Sequence, residues 1–238
     1  SPDTGTAPPS QPANAPLAVK LDRRAWDKVS RTLHPYRAGF TPETLSPAPR
    51  TDTELGTLWP APWIIDGDEI DRRFIGKQAD RSPASRDLSQ ERFAIHVSPG
   101  VTARRPASLL IWLSPMANAQ IPEPLIAAAA QLDLVIVAPT DIGPNRDLTN
   151  RIQLSLDAAY AAQERWLIDP DRIYIGGFSA GAGLANLVWM AFPDVFRGTL
   201  LVSSASFYQE VQAGPASYWP RQFNEPVPAN MKRLANRR

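Results

Sequence analysis

Cysteine is absent from this chain of 238 residues, which excludes disulfide scaffolds, cysteine nucleophiles, thiolate metal sites and iron–sulfur clusters together. Histidine is scarce: His34 and His96 are the only two, too few to build a histidine zinc site by themselves. An excess of charge of one sign is also missing. Lys+Arg number 25 against 24 Asp+Glu, a formal net charge of +1, so no overall field favours a nucleic acid or an anionic membrane surface. No apolar run, the one around Ala127 to Leu132 included, approaches the ~20 residues of a membrane-spanning helix, and a soluble protein is expected. The length suits one sizeable domain with or without an extension and can bury roughly 70% of the unfolded surface. Folding therefore needs neither disulfide nor metal.

Proline is abundant instead, with 25 residues, about twice average usage. Eleven of these prolines fall at or before Pro62. Ser1 to Pro16 consists mainly of Pro, Ala, Ser and Thr with a single charge, too poor in apolar side chains to offset its ordering entropy, and reads as a disordered leader. Neither an initiator Met nor a hydrophobic signal core precedes it, so the chain is expected to be a mature exported product, secreted or periplasmic, or a trimmed one. Residues 17–90 read as an extension packing on the main body. Within it, Asp22 to Leu33 has helical spacing with Trp26, Val29 and Leu33 on one stripe, and Ile70 to Ile75 is an extended candidate.

From residue 91 onward, strands alternate with helical stretches, as a βαβ sheet requires. Arg92–Val97 alternates, whereas Ser108–Leu113 and Leu134–Ala138 are continuous apolar runs, the pattern of strands covered on both faces. Helices are expected at Pro124–Leu132, Thr149–Trp166 and Ala180–Phe192, and further strands at Arg172–Ile175 and Thr199–Ser203. The fold class is α/β: a mostly parallel sheet with helices on both faces over residues 91–238.

One segment carries chemistry. Arg172-Ile-Tyr-Ile-Gly-Gly-Phe-Ser-Ala-Gly-Ala-Gly183 runs from a strand through G-x-S-x-G into a helix of small residues, the context of a nucleophile elbow. Such a turn raises a serine hydroxyl on strained backbone, and Gly177 and Gly181 clear the space around it. Ser179 is the candidate nucleophile. The N–H of Ala180, at the positive end of the helix, points where an oxyanion would develop. A second donor is expected from Ser114-Pro-Met-Ala117, where Pro115 has no N–H and Met116 or Ala117 is the better choice. Phe178, beside the serine, and Trp219, in an aromatic stretch with Tyr218 and Phe223, are the candidate substrate-binding residues.

Asp169-Pro-Asp-Arg-Ile-Tyr-Ile-Gly-Gly-Phe-Ser-Ala-Gly181 and Phe192-Pro-Asp-Val-Phe-Arg-Gly198 resemble the α/β-hydrolase superfamily, in particular its bacterial polyhydroxybutyrate-depolymerase-like and feruloyl-esterase-like serine esterases. The resemblance covers about residues 92–208. It implies carboxylic ester hydrolysis through an acyl-enzyme on Ser179, with no metal or organic cofactor and a small-molecule or polymeric ester as substrate.

That family orders its triad Ser, Asp or Glu, His along the chain. Here no histidine follows Ser179, and a serine hydroxyl without a base is a poor nucleophile. Asp194 is expected to be structural, His96 a satisfied core or edge histidine, and His34 a helix stop before Pro35. The sheet also lacks about two strand–helix units after Thr199–Ser203. The expectation is therefore that acid and base lie in a segment beyond residue 238, a C-terminal fragment completing the fold. The alternative is a catalytically inactive hydrolase-like binding or scaffold protein. Asp141 and Arg146 could touch substrate, although a polar turn with Asp147 or Thr149 capping the next helix is the plainer reading.

Overall fold

The computed structural model describes residues 67–76, 91–102, 104–117, 119 and 121–235. The expected leader at 1–16, the helix at 22–33 and His34 lie outside the described residues.

The chain enters with helix α1 (Gly67–Arg73). This corrects the extended reading of Ile70 to Ile75. Ile70 lies within the helix and Phe74 directly after its end, and both are buried in the core. Only Phe74 takes part in a bridge, an isolated one with Pro226.

Five strands form the main sheet in the order β1-β3-β2-β4-β5: β1 (Phe93–Val97), β2 (Ala107–Leu113), β3 (Leu134–Pro139), β4 (Ile168–Phe178) and β5 (Gly198–Val202). β1 runs antiparallel to β3, and every other pairing is parallel. The connections are helical: α2 (Glu123–Ala129) leads into β3, α3 (Leu148–Arg165) into β4, and α4 (Ala180–Ala191) into β5. A mostly parallel sheet with helices on both faces is what the apolar runs require, because crossover helices must cover the strands they join.

Alternation sorts the strand residues between two apolar layers. Leu109, Ile111, Leu113, Ile173 and Ile175 point into the larger one with α3 and α4. Leu110, Trp112, Ile136 and Ala138 point into the smaller one under α2. Full burial of one such side chain contributes about 1.5–3 kcal/mol, so the larger layer dominates stability. On the α2 side, the sheet face of β4 and β5 is left open among the described residues, with Tyr174, Phe178, Leu200 and Val202 all exposed.

β4 is longer than its strongest apolar signal, Arg172–Ile175. Its register slips between the Ala107–Ile168 and Leu109–Ile173 pairs. At the slip, Asp169 accepts bonds from the Asp171 N–H and Arg172 Nε, both at 2.9 Å. The Asp169-Pro-Asp171 segment is thus strand geometry and not a paired-carboxylate site.

After β5 the Pro-rich stretch forms a small hairpin, β6 (Val211–Gly214) with β7 (Ser217–Trp219), then helix α5 (Pro228–Ala235). No described helix is long and apolar enough to cross a membrane.

Candidate active site

Ser179 lies at the junction of β4 and α4, half-buried, with φ 52° and ψ −123°. This is left-handed φ on a residue with a Cβ, a backbone state that costs of order 1–3 kcal/mol and persists only where neighbours impose it. The neighbours are identifiable. The Ser179 N–H donates to the Val202 carbonyl at 2.9 Å, and the Ser179 carbonyl accepts from Ala182 (2.9 Å) and Gly183 (3.2 Å). One bond therefore ties Ser179 to the end of β5, and the other two start the helix.

The two glycines are required by space. A Cβ on Gly177 would stand 2.6 Å from both the Gly181 carbonyl carbon and the Leu113 carbonyl oxygen, and one on Gly181 would overlap the same Leu113 oxygen. The first turn of α4 can approach the end of β2 this closely only because neither position carries a side chain.

Ala180 is the first residue of α4, where N–H groups have no intrahelical acceptor. With the helix dipole behind it, that N–H suits a developing negative charge. The loop after β2 lies beside this turn, because Leu113 supplies the carbonyl against which Gly177 and Gly181 pack. In this loop Met116 is exposed, and its N–H donates to Ser114 Oγ at 3.2 Å. The Ala117 carbonyl accepts the Asp141 N–H at 2.8 Å, which joins the loops following β2 and β3.

Three non-glycine residues among those described have positive φ: Asp141 (50°), Ser179 (52°) and Ser203 (63°). Each follows the carboxyl end of a parallel strand, β3, β4 or β5, the edge at which ligands bind in open α/β sheets. Asp141 is one of the two loop residues that the sequence offers as a substrate contact, whereas Ser203 is not separable from an ordinary turn residue in the sequence, since Ser is common in turns.

The remaining candidates separate clearly. Phe178 is exposed on the open side of the sheet, one residue before the serine. Trp219 is exposed in β7 and meets Phe207 edge-on at a centroid distance of 5.6 Å. Phe207 follows Ser206, whose carbonyl accepts from Asn186 Nδ2 and whose hydroxyl faces Gly183. The aromatic pair is therefore tied to the first half of α4, a link with no sequence signal because its members are far apart in the chain. Phe223, grouped with Trp219 by composition, belongs to the core and packs against Phe74 at 5.8 Å.

Arg146 is not free for substrate. Both of its terminal nitrogens bond to Glu91, Nη1 to Oε2 at 2.8 Å and Nη2 to Oε1, and that bonding raises the guanidinium pKa above its ordinary value. Asp147 occupies the cap position of α3 but makes no side-chain cap bond. Asp194 is buried beside Arg73, a structural role as expected. His96 is buried in β1, as a core histidine should be, but it is not satisfied: neither ring nitrogen has a hydrogen-bond partner. Burial pushes its pKa below the usual value, with Glu123 pulling the other way. β1 stands three strand spacings from β4, about 14 Å, so His96 does not reach Ser179. No group of three or more His, Asp or Glu able to hold a metal occurs among the described residues.

Residues 149–218, which include the whole elbow, match the family Esterase PHB depolymerase. Over this segment the chain is similar to that esterase family. No curated protein sequence matches it. Solved structures with a similar fold include acetyl xylan esterase from Aspergillus awamori (12% identity, TM-score 0.40, 46% of this chain and 45% of that one). An S-formylglutathione hydrolase from Agrobacterium tumefaciens (17%, 0.39, 47% and 51%) is also similar. So is Est1E from Butyrivibrio proteoclasticus (13%, 0.38, 46% and 44%). The chain thus spans about half the length of these structures.

Proposed function

We propose that this chain carries the nucleophile half of an exported serine hydrolase that cleaves carboxylic esters through an acyl-enzyme on Ser179. The observation that carries the reading is the backbone of Ser179: left-handed φ at a strand-to-helix turn, held by the Val202 carbonyl and made room for by Gly177 and Gly181. Strain of this kind is retained where a side chain must be presented in one direction.

In this reading Ser179 Oγ attacks the ester carbonyl, and the alkoxide so formed takes its stabilisation from the Ala180 N–H. The second donor is the Met116 N–H. Its 3.2 Å bond to Ser114 Oγ is a neutral contact that a charged oxygen would displace, because charge-assisted hydrogen bonds are roughly twice as strong. Collapse expels the alcohol and leaves an acyl-serine, which water then releases as the acid. Phe178 and Trp219 flank the ester on apolar surfaces. The general base, which takes the Oγ proton on attack and returns it to the departing alcohol, and the acid that orients it come from outside the described residues, in a segment following Arg238.

A fluorophosphonate probe tests the assignment. It should modify Ser179 in a protein extended past Arg238 and fail to do so in its Ser179→Ala variant, with the adduct located by peptide mass spectrometry. An unlabelled extended protein would overturn the enzyme reading in favour of a non-catalytic one. Equal labelling of the 238-residue chain would place the base within it and turn attention to His34.

A further inference from the structure

The smaller apolar layer contains one group that does not belong in it chemically. His96 is 1% exposed and stands opposite Ile136 in the β1–β3 ladder, on the same side of the sheet as Leu110, Trp112 and Ala138. Neutral imidazole always carries one donor and one acceptor, and here both ring nitrogens are buried without partners. An unsatisfied buried polar atom costs about 1–3 kcal/mol, so the closed layer holds His96 at a loss. The residues of β2 and β3 that build the layer, Leu110, Trp112, Leu134, Ile136 and Ala138, are hydrophobic and carry no titratable group. α2 contributes the one titratable group that acts on it, Glu123.

The cover over this layer is slight. α2 has seven residues, its N-terminal cap Pro122 makes no side-chain cap bond, and only Ala129 is buried. Leu125 and Ile126 pack from it at half burial. One hydrogen bond fixes its far end, from Ser98 Oγ to the Ala129 carbonyl at 2.8 Å. Few apolar contacts and a poorly capped end are the marks of a segment that opens locally at low cost.

We propose that α2 is an acid-released cover: protonation of His96 lifts Glu123–Ala129 off the sheet while the rest of the fold stays closed. The closed layer gives His96 no hydrogen-bond partner, and burial outweighs the attraction of the Glu123 carboxylate, so the closed form disfavours an imidazolium that an open form hydrates. The sign follows from linkage. The closed form binds the proton less well than the open form, whose imidazole behaves as an ordinary histidine, so closure is strongest above the ordinary histidine range. It weakens by about tenfold per pH unit as the pH falls below it, until the closed form itself protonates. Lifting α2 also frees Ile121, the buried residue at the end of the loop that bears Met116.

Hydrogen exchange followed by mass spectrometry tests this on the full chain at pH 7.5 and pH 5, after correction for intrinsic exchange rates. Exchange in the peptide spanning 121–132 should rise by about threefold or more at pH 5, with peptides from β2 and β4 unchanged. His96→Leu should abolish the rise, and His96→Phe provides the same test should the leucine variant fold poorly. A flat response in the parent chain would overturn the proposal, as would an equal rise in the folded variants. So would a rise shared by β2 and β4, which would signify global unfolding.

Discussion

Arg73 Nη1 donates to Asp194 Oδ1 at 2.8 Å, with the two side chains only 5% and 1% exposed. The same nitrogen bonds to the Ala191 carbonyl at 3.2 Å, and the guanidinium carbon lies 4.5 Å from the centre of the Phe192 ring. This arrangement fastens α1 to the end of α4. Asn230 Nδ2 joins it from α5, donating to the same Ala191 carbonyl at 2.9 Å. Removing Arg73 takes the close cationic partner from the buried Asp194 and leaves it the longer contact to Arg233 Nη1 at 3.8 Å, so Arg73→Ala should cost about 3 kcal/mol, read from urea unfolding. The double variant Arg73→Leu/Asp194→Leu should recover part of that loss. A cost for Arg73→Ala below 1 kcal/mol would remove the pair from any structural role.

The elbow glycines should be distinguishable from a glycine that is merely convenient. Gly181→Ala must push the start of α4 away from Leu113, at a cost of about 2 kcal/mol or more. Gly198→Ala, whose new methyl would meet only the Tyr174 ring at 3.4 Å, should stay within about 1 kcal/mol of the parent. Thermal denaturation of the two variants side by side checks the contrast.

Strain at Ser179 has a stability signature independent of turnover. Glycine adopts positive φ without the Cβ clash, so Ser179→Gly should raise stability by about 1 kcal/mol while abolishing probe labelling. A destabilised glycine variant would contradict the strained backbone.

The Arg146–Glu91 pair ties the loop after β3 to the second residue before β1. Its two-pronged geometry is specific to a guanidinium. Arg146→Lys should therefore lose most of what Arg146→Ala loses, about 1 kcal/mol, and a double-mutant cycle with Glu91→Gln should show coupling. Near-additive losses would undo this assignment.

Phe223 and Trp219, alike in composition, should part company under substitution. Phe223→Ala removes a core ring and should cost about 3–5 kcal/mol. Trp219→Ala, at an exposed position, should leave unfolding within about 1 kcal/mol of the parent. In the protein extended past Arg238, it should raise KM for an ester substrate more than it lowers kcat.

Much of this architecture was readable from order and spacing alone. Leu109 to Leu113 and Leu134 to Ala138 are strands in any setting that covers both faces, and glycines flanking Ser179 between a strand and a helix leave little freedom about the turn. The Ile70 to Ile75 stretch was misread because a short apolar spacing fits either period, and the choice was made by Arg73 finding Asp194, 121 residues away. His96 was expected to be satisfied, and nothing in its neighbours along the chain could reveal that the residues across the ladder offer it no hydrogen-bond partner.

Local pattern thus determined the strands, the mostly parallel sheet and the position of the elbow, because these follow from side-chain periodicity and from the steric freedom of glycine. Tertiary structure alone decided which polar groups meet. It occupied Arg146 with Glu91, buried Phe223 while leaving Trp219 exposed, and enclosed His96 in an apolar layer. Each of these outcomes depends on partners distant in sequence, and the free energy of a polar or aromatic group is set by what surrounds it in space.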